Sequence, residues 1–201
     1  MTWSITYLLT EFKPAVVKKL CLNESIARNL YSVAGEVDLL FAKDVGEFWN
    51  QVEGSAEVEL DIDELKPPTV IAAEDFNGLL KMPPRDFRSY LKGLAQFGTQ
   101  PVCLYCHETW AGVTEYENAW VFVDGKEYLY FFDSEAEDSA IYRNENSVWV
   151  QIETNKTVLQ LMLEYLGFEA PDKDFPPHTR EFDWANHRVQ CSEIGKSNSD
   201  A

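Results

Sequence analysis

The segment Cys103-Leu104-Tyr105-Cys106-His107 combines residue types and a spacing that could carry chemistry. Its C-x-x-C-H pattern is the attachment motif of c-type haem, in which both thiols bond the haem and the adjacent histidine ligates iron. The surrounding residues, however, have the pattern of a β-strand, and side chains three positions apart in a strand point to opposite faces of a sheet. Cys103 and Cys106 could not then reach one haem together. We interpret the match as coincidental and expect no haem.

A zinc site built on Cys103, Cys106 and His107 would need a fourth ligand, and structural zinc sites commonly use two close pairs. No second pair stands at ligand spacing among the other candidates, which are Cys21, His178, His187 and Cys191. The three residues of the motif remain weak metal candidates, and we expect no cofactor. Four scattered cysteines also make a poor disulfide framework, so the sequence predicts reduced thiols.

Other catalytic motifs do not occur in the sequence, which contains no P-loop, no G-x-G-x-x-G, no G-x-S-x-G and no H-E-x-x-H pattern. Paired acids such as Asp61 and Asp63 could bind a divalent cation, but acidic runs of this kind are typical of solvated surfaces. The sequence therefore predicts a protein that is not an enzyme. A metal-dependent enzyme that uses Cys103, Cys106 and His107 stays open as an alternative.

Charge is the strongest global feature, with 17 basic and 34 acidic side chains and a formal net charge of −17. Residues 36–64 hold ten acids against Lys43, and residues 108–138 hold nine against Lys126. Such a surface repels the phosphates of nucleic acids and of anionic membranes, so we expect neither as a partner. It could steer a basic protein partner instead.

The predicted contacts to this partner are acids and one aromatic residue in the two acidic segments. Residues 56–62 alternate like a half-buried strand whose carboxylates face outwards. Trp110 lies in a loop-like stretch rich in acids, where an aromatic anchor surrounded by charges is typical of an interface. The predicted contact residues are Glu59, Asp61, Asp63, Trp110, Glu115, Glu117, Asp133 and Glu135.

The elements that must position these residues follow from periodicity. Apolar residues at spacings of three and four predict a helix over 84–98, and residues 14–34 predict two shorter helical pieces with Asn23 as a cap. Strands are predicted over 102–110, 117–123 and 127–132, the last two joined by an Asp124-Gly125 turn. An apolar helix over 158–166 ends at Gly167. We expect an α+β fold whose mostly antiparallel sheet has helices packed on one face.

The length favours a single compact domain over 1–195, with 1–66 as a candidate subregion and 196–201 as a frayed tail. The first residues have no basic region and meet Glu11 early, so they do not match a signal peptide or a membrane span. The expected location is cytoplasmic.

Residues 108–120 resemble a segment of immunity proteins from bacterial polymorphic-toxin systems. In that segment a strand ends in an acid, an aromatic and a glycine, and the chain re-enters the sheet through a small residue. Residues 181–188, which follow the apolar helix, are similar to the ends of some such proteins, although these usually carry a glycine where this chain has Trp184-Ala185-Asn186. The resemblance covers residues 83–188. It implies a cytoplasmic, non-catalytic protein that masks a toxin, often a basic nuclease.

We therefore expect an acidic binding protein that occludes the active site of a cognate toxin. A nucleic-acid mimic that inhibits several DNA- or RNA-binding proteins is the alternative from the binding class. The interaction hypothesis predicts that charge reversal at Glu115, Glu117 and Asp133 abolishes binding, and that Cys106→Ser acts only through stability.

Overall fold

The computed structural model describes residues 3–33, 39–43, 70–72, 85–110, 113–134, 140–167 and 183–191. The strands are β1 (Trp3–Glu11), β2 (Leu30–Val33), β3 (Leu39–Lys43), β4 (Val70–Ala72), β5 (Val102–Trp110), β6 (Val113–Val123), β7 (Lys126–Ser134), β8 (Ala140–Glu145) and β9 (Val148–Gln151). The helices are α1 (Pro14–Leu20), α2 (Glu24–Arg28), α3 (Arg85–Gly98), α4 (Val158–Tyr165) and a short 3-10 helix (Trp184–His187).

The nine strands of the described ranges form one sheet in the order β2-β3-β1-β5-β6-β7-β8-β9-β4. Every neighbouring pair is antiparallel, which confirms the predicted α+β class with an antiparallel sheet. β7 pairs with both β6 and β8. No helix in the described ranges is long and apolar enough to cross a membrane.

Helices cover both faces of the sheet, whereas the sequence analysis expected them on one. Leu104 and Trp120 pack with α1, α2 and α3 on one face. Cys103, Tyr105 and Val121 pack with α4 on the other. Because successive residues of β5 and β6 are apolar on both sides, water must be excluded from both, and a single helical layer cannot do this.

The helix ends follow the expected capping chemistry. The Asn23 side chain accepts a hydrogen bond from the Ile26 amide, and Thr157 forms a capping box with Gln160 at the start of α4. Gly167 ends that helix region with φ of 75°. The helical expectation for 14–34 is wrong beyond Arg28, because residues 30–33 pair with β3 as a strand.

The two hairpin turns at one end of the sheet use left-handed backbone conformations. Asp124 and Gly125 have φ of 51° and 74°, as the predicted type I′ turn requires. Asn146 and Ser147 form the equivalent turn between β8 and β9, with φ of 56° and 68°. The sequence analysis did not predict this second turn.

Cys21 and Cys191 form a disulfide with a Cα–Cα distance of 5.5 Å. The expectation that all four cysteines are reduced thiols is therefore wrong for this pair. The two residues are 170 positions apart, so their spacing in the sequence carried no sign of the pairing. Cys103 and Cys106 are free thiols, and both are buried.

Candidate functional site

Four neighbouring strands bring their ends together at one end of the sheet, which we call the acidic end. It comprises residues 3–5 of β1, 107–110 of β5, 113–117 of β6 and 132–134 of β7. The strand register defines it: Trp3 lies opposite Thr109, Trp110 closes the β5–β6 ladder opposite Val113, and Glu117 lies opposite Asp133.

Four of the eight predicted contact residues fall in the acidic end, namely Trp110, Glu115, Glu117 and Asp133. They come from three adjacent strands, β5, β6 and β7. Trp110 is the last residue of β5, which confirms the predicted strand over 102–110, so it does not belong to the loop-like stretch that the sequence analysis also described. The other four predicted residues, Glu59, Asp61, Asp63 and Glu135, lie outside the described residues.

Glu115 occupies an irregular position in the sheet. Tyr116 lies opposite Glu108 and Thr114 lies opposite Thr109, so β6 has one residue more than β5 at this point. Glu115 is that extra residue. Bulges of this kind interrupt the ladder and redirect side chains, and they concentrate near functional sites.

A cluster of three polar side chains supports the acidic end from the face covered by α4. The Tyr105 hydroxyl donates a hydrogen bond to Glu117 Oε1 at 2.5 Å and lies 3.3 Å from His107 Nδ1. Tyr105 is 1% exposed and His107 7% exposed, while Glu117 is half-buried. The cluster therefore holds the partly accessible carboxylate of Glu117 from its buried side.

Tyr105 is the member of this cluster that the sequence analysis did not single out. The strand pattern could have identified it, because residues 103, 105 and 107 share one face of β5 and the hairpin register places His107 opposite Glu117. Burial, followed by the charge of Glu117 and its hydrogen bond, holds the pKa of Tyr105 well above its usual value of 10.0. The phenol thus acts as a neutral donor that orients Glu117.

The C-x-x-C-H residues do not form a joint site. Cys103 packs in the core on the α4 face, whereas Cys106 packs on the face covered by α1, α2 and α3. Burial raises the pKa of the Cys103 thiol far above its usual range, which disfavours the thiolate that a metal or an electrophile would need. Within the described ranges, no three His, Cys, Asp or Glu side chains are grouped as metal ligands would be.

The opposite end of the sheet holds a polar cleft of about 900 Å³ beside the two hairpin turns. Its lining includes Glu127, whose Oε1 lies 2.9 Å from Arg88 Nε and 3.0 Å from Lys92 Nζ. Both cations come from α3, and the Glu127 side chain is 15% exposed. This end therefore contains a compensated, nearly buried ion cluster.

Comparison with known proteins gives no relative for this chain: no family model, no curated protein and no solved structure matches it.

Proposed function

We propose that this chain is an acidic, non-catalytic binding protein that occludes the active site of a basic protein, as an immunity protein does with its toxin. The observation that carries the proposal is the strand register, which places Glu115, Glu117, Asp133 and Trp110 at the same end of the sheet. Residues separated by more than twenty positions in the sequence thus share one small region. Charges gathered in this way act together on a partner.

Electrostatic steering is the physical basis of the proposal. A net charge of −17 attracts a basic protein at long range, and such steering raises association rates by about 10- to 1000-fold at low salt. The attraction falls with ionic strength, because the screening length is about 8 Å at physiological salt. A cognate pair should therefore associate more slowly as salt is added.

Rigidity is the second support. Glu117 is held by the buried Tyr105 hydroxyl, so its carboxylate loses little freedom when a partner binds. Trp110 is the last residue of β5 and lies opposite Val113, near the start of the strand that carries Glu115 and Glu117. Aromatic residues such as tryptophan carry much of the binding energy at many protein interfaces.

Binding is favoured over catalysis by the environment of the candidate nucleophiles. The Cys103 thiol and the Tyr105 hydroxyl are buried, and burial raises the pKa of each above its usual value. Both groups therefore stay protonated near neutral pH and are poor nucleophiles.

The test compares two double variants with the same change of four charges. Glu115→Lys with Asp133→Lys alters the acidic end, while Glu145→Lys with Glu164→Lys alters exposed acids on β8 and α4. A partner is captured from a lysate of the source organism, and its affinity is measured by calorimetry at low and high salt. We expect the first variant to weaken binding about tenfold or more, and the control to change it far less.

A functional readout accompanies the affinity measurement. The captured partner is expressed alone in bacteria, where we expect it to arrest growth, and growth should return when this chain is co-expressed. Equal losses of affinity in both double variants would remove the acidic end as the binding surface. Capture of several unrelated DNA-binding proteins would favour the nucleic-acid mimic instead.

A further inference from the structure

The C-terminal segment 183–191 lies along β2, an outermost strand of the described sheet. We call this segment the strap. Arg188 forms an isolated antiparallel bridge with Tyr31, so the strap follows the strand that it covers. An uncovered edge strand presents unpaired carbonyl and amide groups that other chains can pair with, and proteins commonly cover such edges.

Three carbonyl groups at alternate positions receive hydrogen-bond donors from the strap. Arg188 Nη2 donates to the Arg28 carbonyl at 2.7 Å, and the Val189 amide donates to the Leu30 carbonyl at 2.9 Å. His187 Nδ1 lies 3.2 Å from the carbonyl of Ser32. Because a carbonyl oxygen can only accept, Nδ1 must carry the hydrogen. The strap thus satisfies the outward-facing acceptors of this edge.

Aromatic packing and a covalent bond complete the attachment. The Trp184 ring packs edge-on against Tyr31 at 4.8 Å and tilted against Tyr7 at 5.9 Å. At the other end of the strap, Cys191 is bonded to Cys21, directly after α1. Neither cysteine is fully buried, so a reductant can reach this disulfide.

We propose that the Cys21–Cys191 disulfide is a redox latch that keeps the strap on the edge of β2. A dithiol reductant opens it: the disulfide takes up two electrons and two protons, Cys21 and Cys191 become thiols, and the dithiol leaves as a disulfide. The strap then depends on a few hydrogen bonds and on the contacts of Trp184 with Tyr31 and Tyr7. Individual hydrogen bonds contribute little net stability in water, so the strap opens often and exposes the carbonyls of β2.

The test measures amide hydrogen exchange of the full chain by mass spectrometry, with and without dithiothreitol. On reduction we expect amide exchange in residues 30–33 and 183–191 to accelerate about tenfold or more. Residues 102–107 of the central β5 should keep their protection, because the latch is local. The double variant Cys21→Ala with Cys191→Ala should exchange rapidly at both places with or without reductant.

Thiol labelling with a maleimide under native conditions provides the matched control. The untreated protein should take up no label, and the reduced protein should take up two, at Cys21 and Cys191. The buried Cys103 and Cys106 should stay unlabelled in both. Labelling of Cys21 without reductant would overturn the proposal, as would unchanged exchange after both thiols are labelled. If reduction also accelerated amide exchange in β5, the Cys21–Cys191 disulfide would be stabilising the whole fold and would not be a local latch.

Discussion

Two glutamates ten residues apart in the sequence occupy opposite ends of the sheet and are held by different means. Glu127, in the cleft, is bound by two cations, Arg88 and Lys92. Glu117, in the acidic end, accepts a hydrogen bond from the neutral Tyr105 hydroxyl. The first arrangement pairs a carboxylate with two cations, whereas the second holds a carboxylate with a neutral hydrogen-bond donor.

The difference separates a structural role from a binding role. A carboxylate compensated by two cations contributes little field beyond the protein surface, so the cleft end is suited to holding α3 on the sheet. A carboxylate fixed by a neutral donor still attracts a positive partner. We therefore infer a stabilising role for Glu127 and, under the proposed function, a partner-binding role for Glu117, and each role can be tested separately.

The largest effect is expected for Glu127→Gln. The amide keeps the size of the side chain but removes the carboxylate charge that Arg88 and Lys92 share. Removing one partner of a nearly buried ion cluster should lower the free energy of unfolding by about 3 kcal/mol, as measured by urea denaturation. Affinity for the basic partner should not change.

The control is Glu164→Gln, which breaks the exposed Lys156–Glu164 pair on α4. Surface pairs contribute about 0–1 kcal/mol, so its unfolding curve should stay close to that of the wild type. If Glu127→Gln is as stable as this control, or loses partner binding while folded, the assignment of Glu127 to stability is wrong.

A smaller loss is expected for Cys106→Ser, next to the acidic end. The thiol is 6% exposed and packs in an apolar cluster, so a hydroxyl there must be partly desolvated. We expect about 2 kcal/mol lower stability with unchanged partner affinity. A folded variant that loses its function would contradict this and support the enzyme that uses Cys103, Cys106 and His107.

Much of the fold could be predicted because it depends on local signals. The Asp124-Gly125 turn needs positive φ at both positions, and the spacing of apolar residues in 85–98 fits a helix and no strand period. The bounds of β5 could be read from its apolar pattern. The left-handed Asn146-Ser147 turn was missed, because neither residue is a glycine that would have marked it.

What depends on distant residues could not be predicted. The Cys21–Cys191 pairing joins segments 170 positions apart. The position of α4 on the second face of the sheet also depends on contacts with distant strand residues such as Cys103 and Tyr105. For the site, the acids were identified by type, but their meeting depends on the β5–β6–β7 register. The bulge at Glu115 shifts that register, and no pattern in the sequence predicts the bulge.

The smallest effect is expected for Tyr105→Phe, which removes the hydroxyl but leaves the ring in the core. Glu117 loses a hydrogen bond, which should cost about 1 kcal/mol of stability at neutral pH. Because the carboxylate then lacks the hydrogen bond from Tyr105 and is held less firmly, the affinity for the basic partner should also fall. Tyr31→Phe, on the strap side of the sheet, is the matched control and should leave affinity unchanged. A folded Tyr105→Phe protein with wild-type affinity would show that the hydrogen bond has no part in binding.

The same variant tests the titration of this site. Burial, then the charge of Glu117 and its hydrogen bond, raises the pKa of Tyr105 well above 10.0. Because the unfolded chain releases this proton near pH 10 and the native protein does not, the stability that the group contributes is complete below pH 10 and falls at higher pH. Between pH 9 and pH 10.5 the wild type should lose about 0.8 kcal/mol more than Tyr105→Phe. Tyr90 and Tyr142, whose pKa values burial raises to about 12, add the same slope to both proteins. Parallel urea-denaturation profiles for the two proteins would mean that Tyr105 is not the neutral donor that orients Glu117.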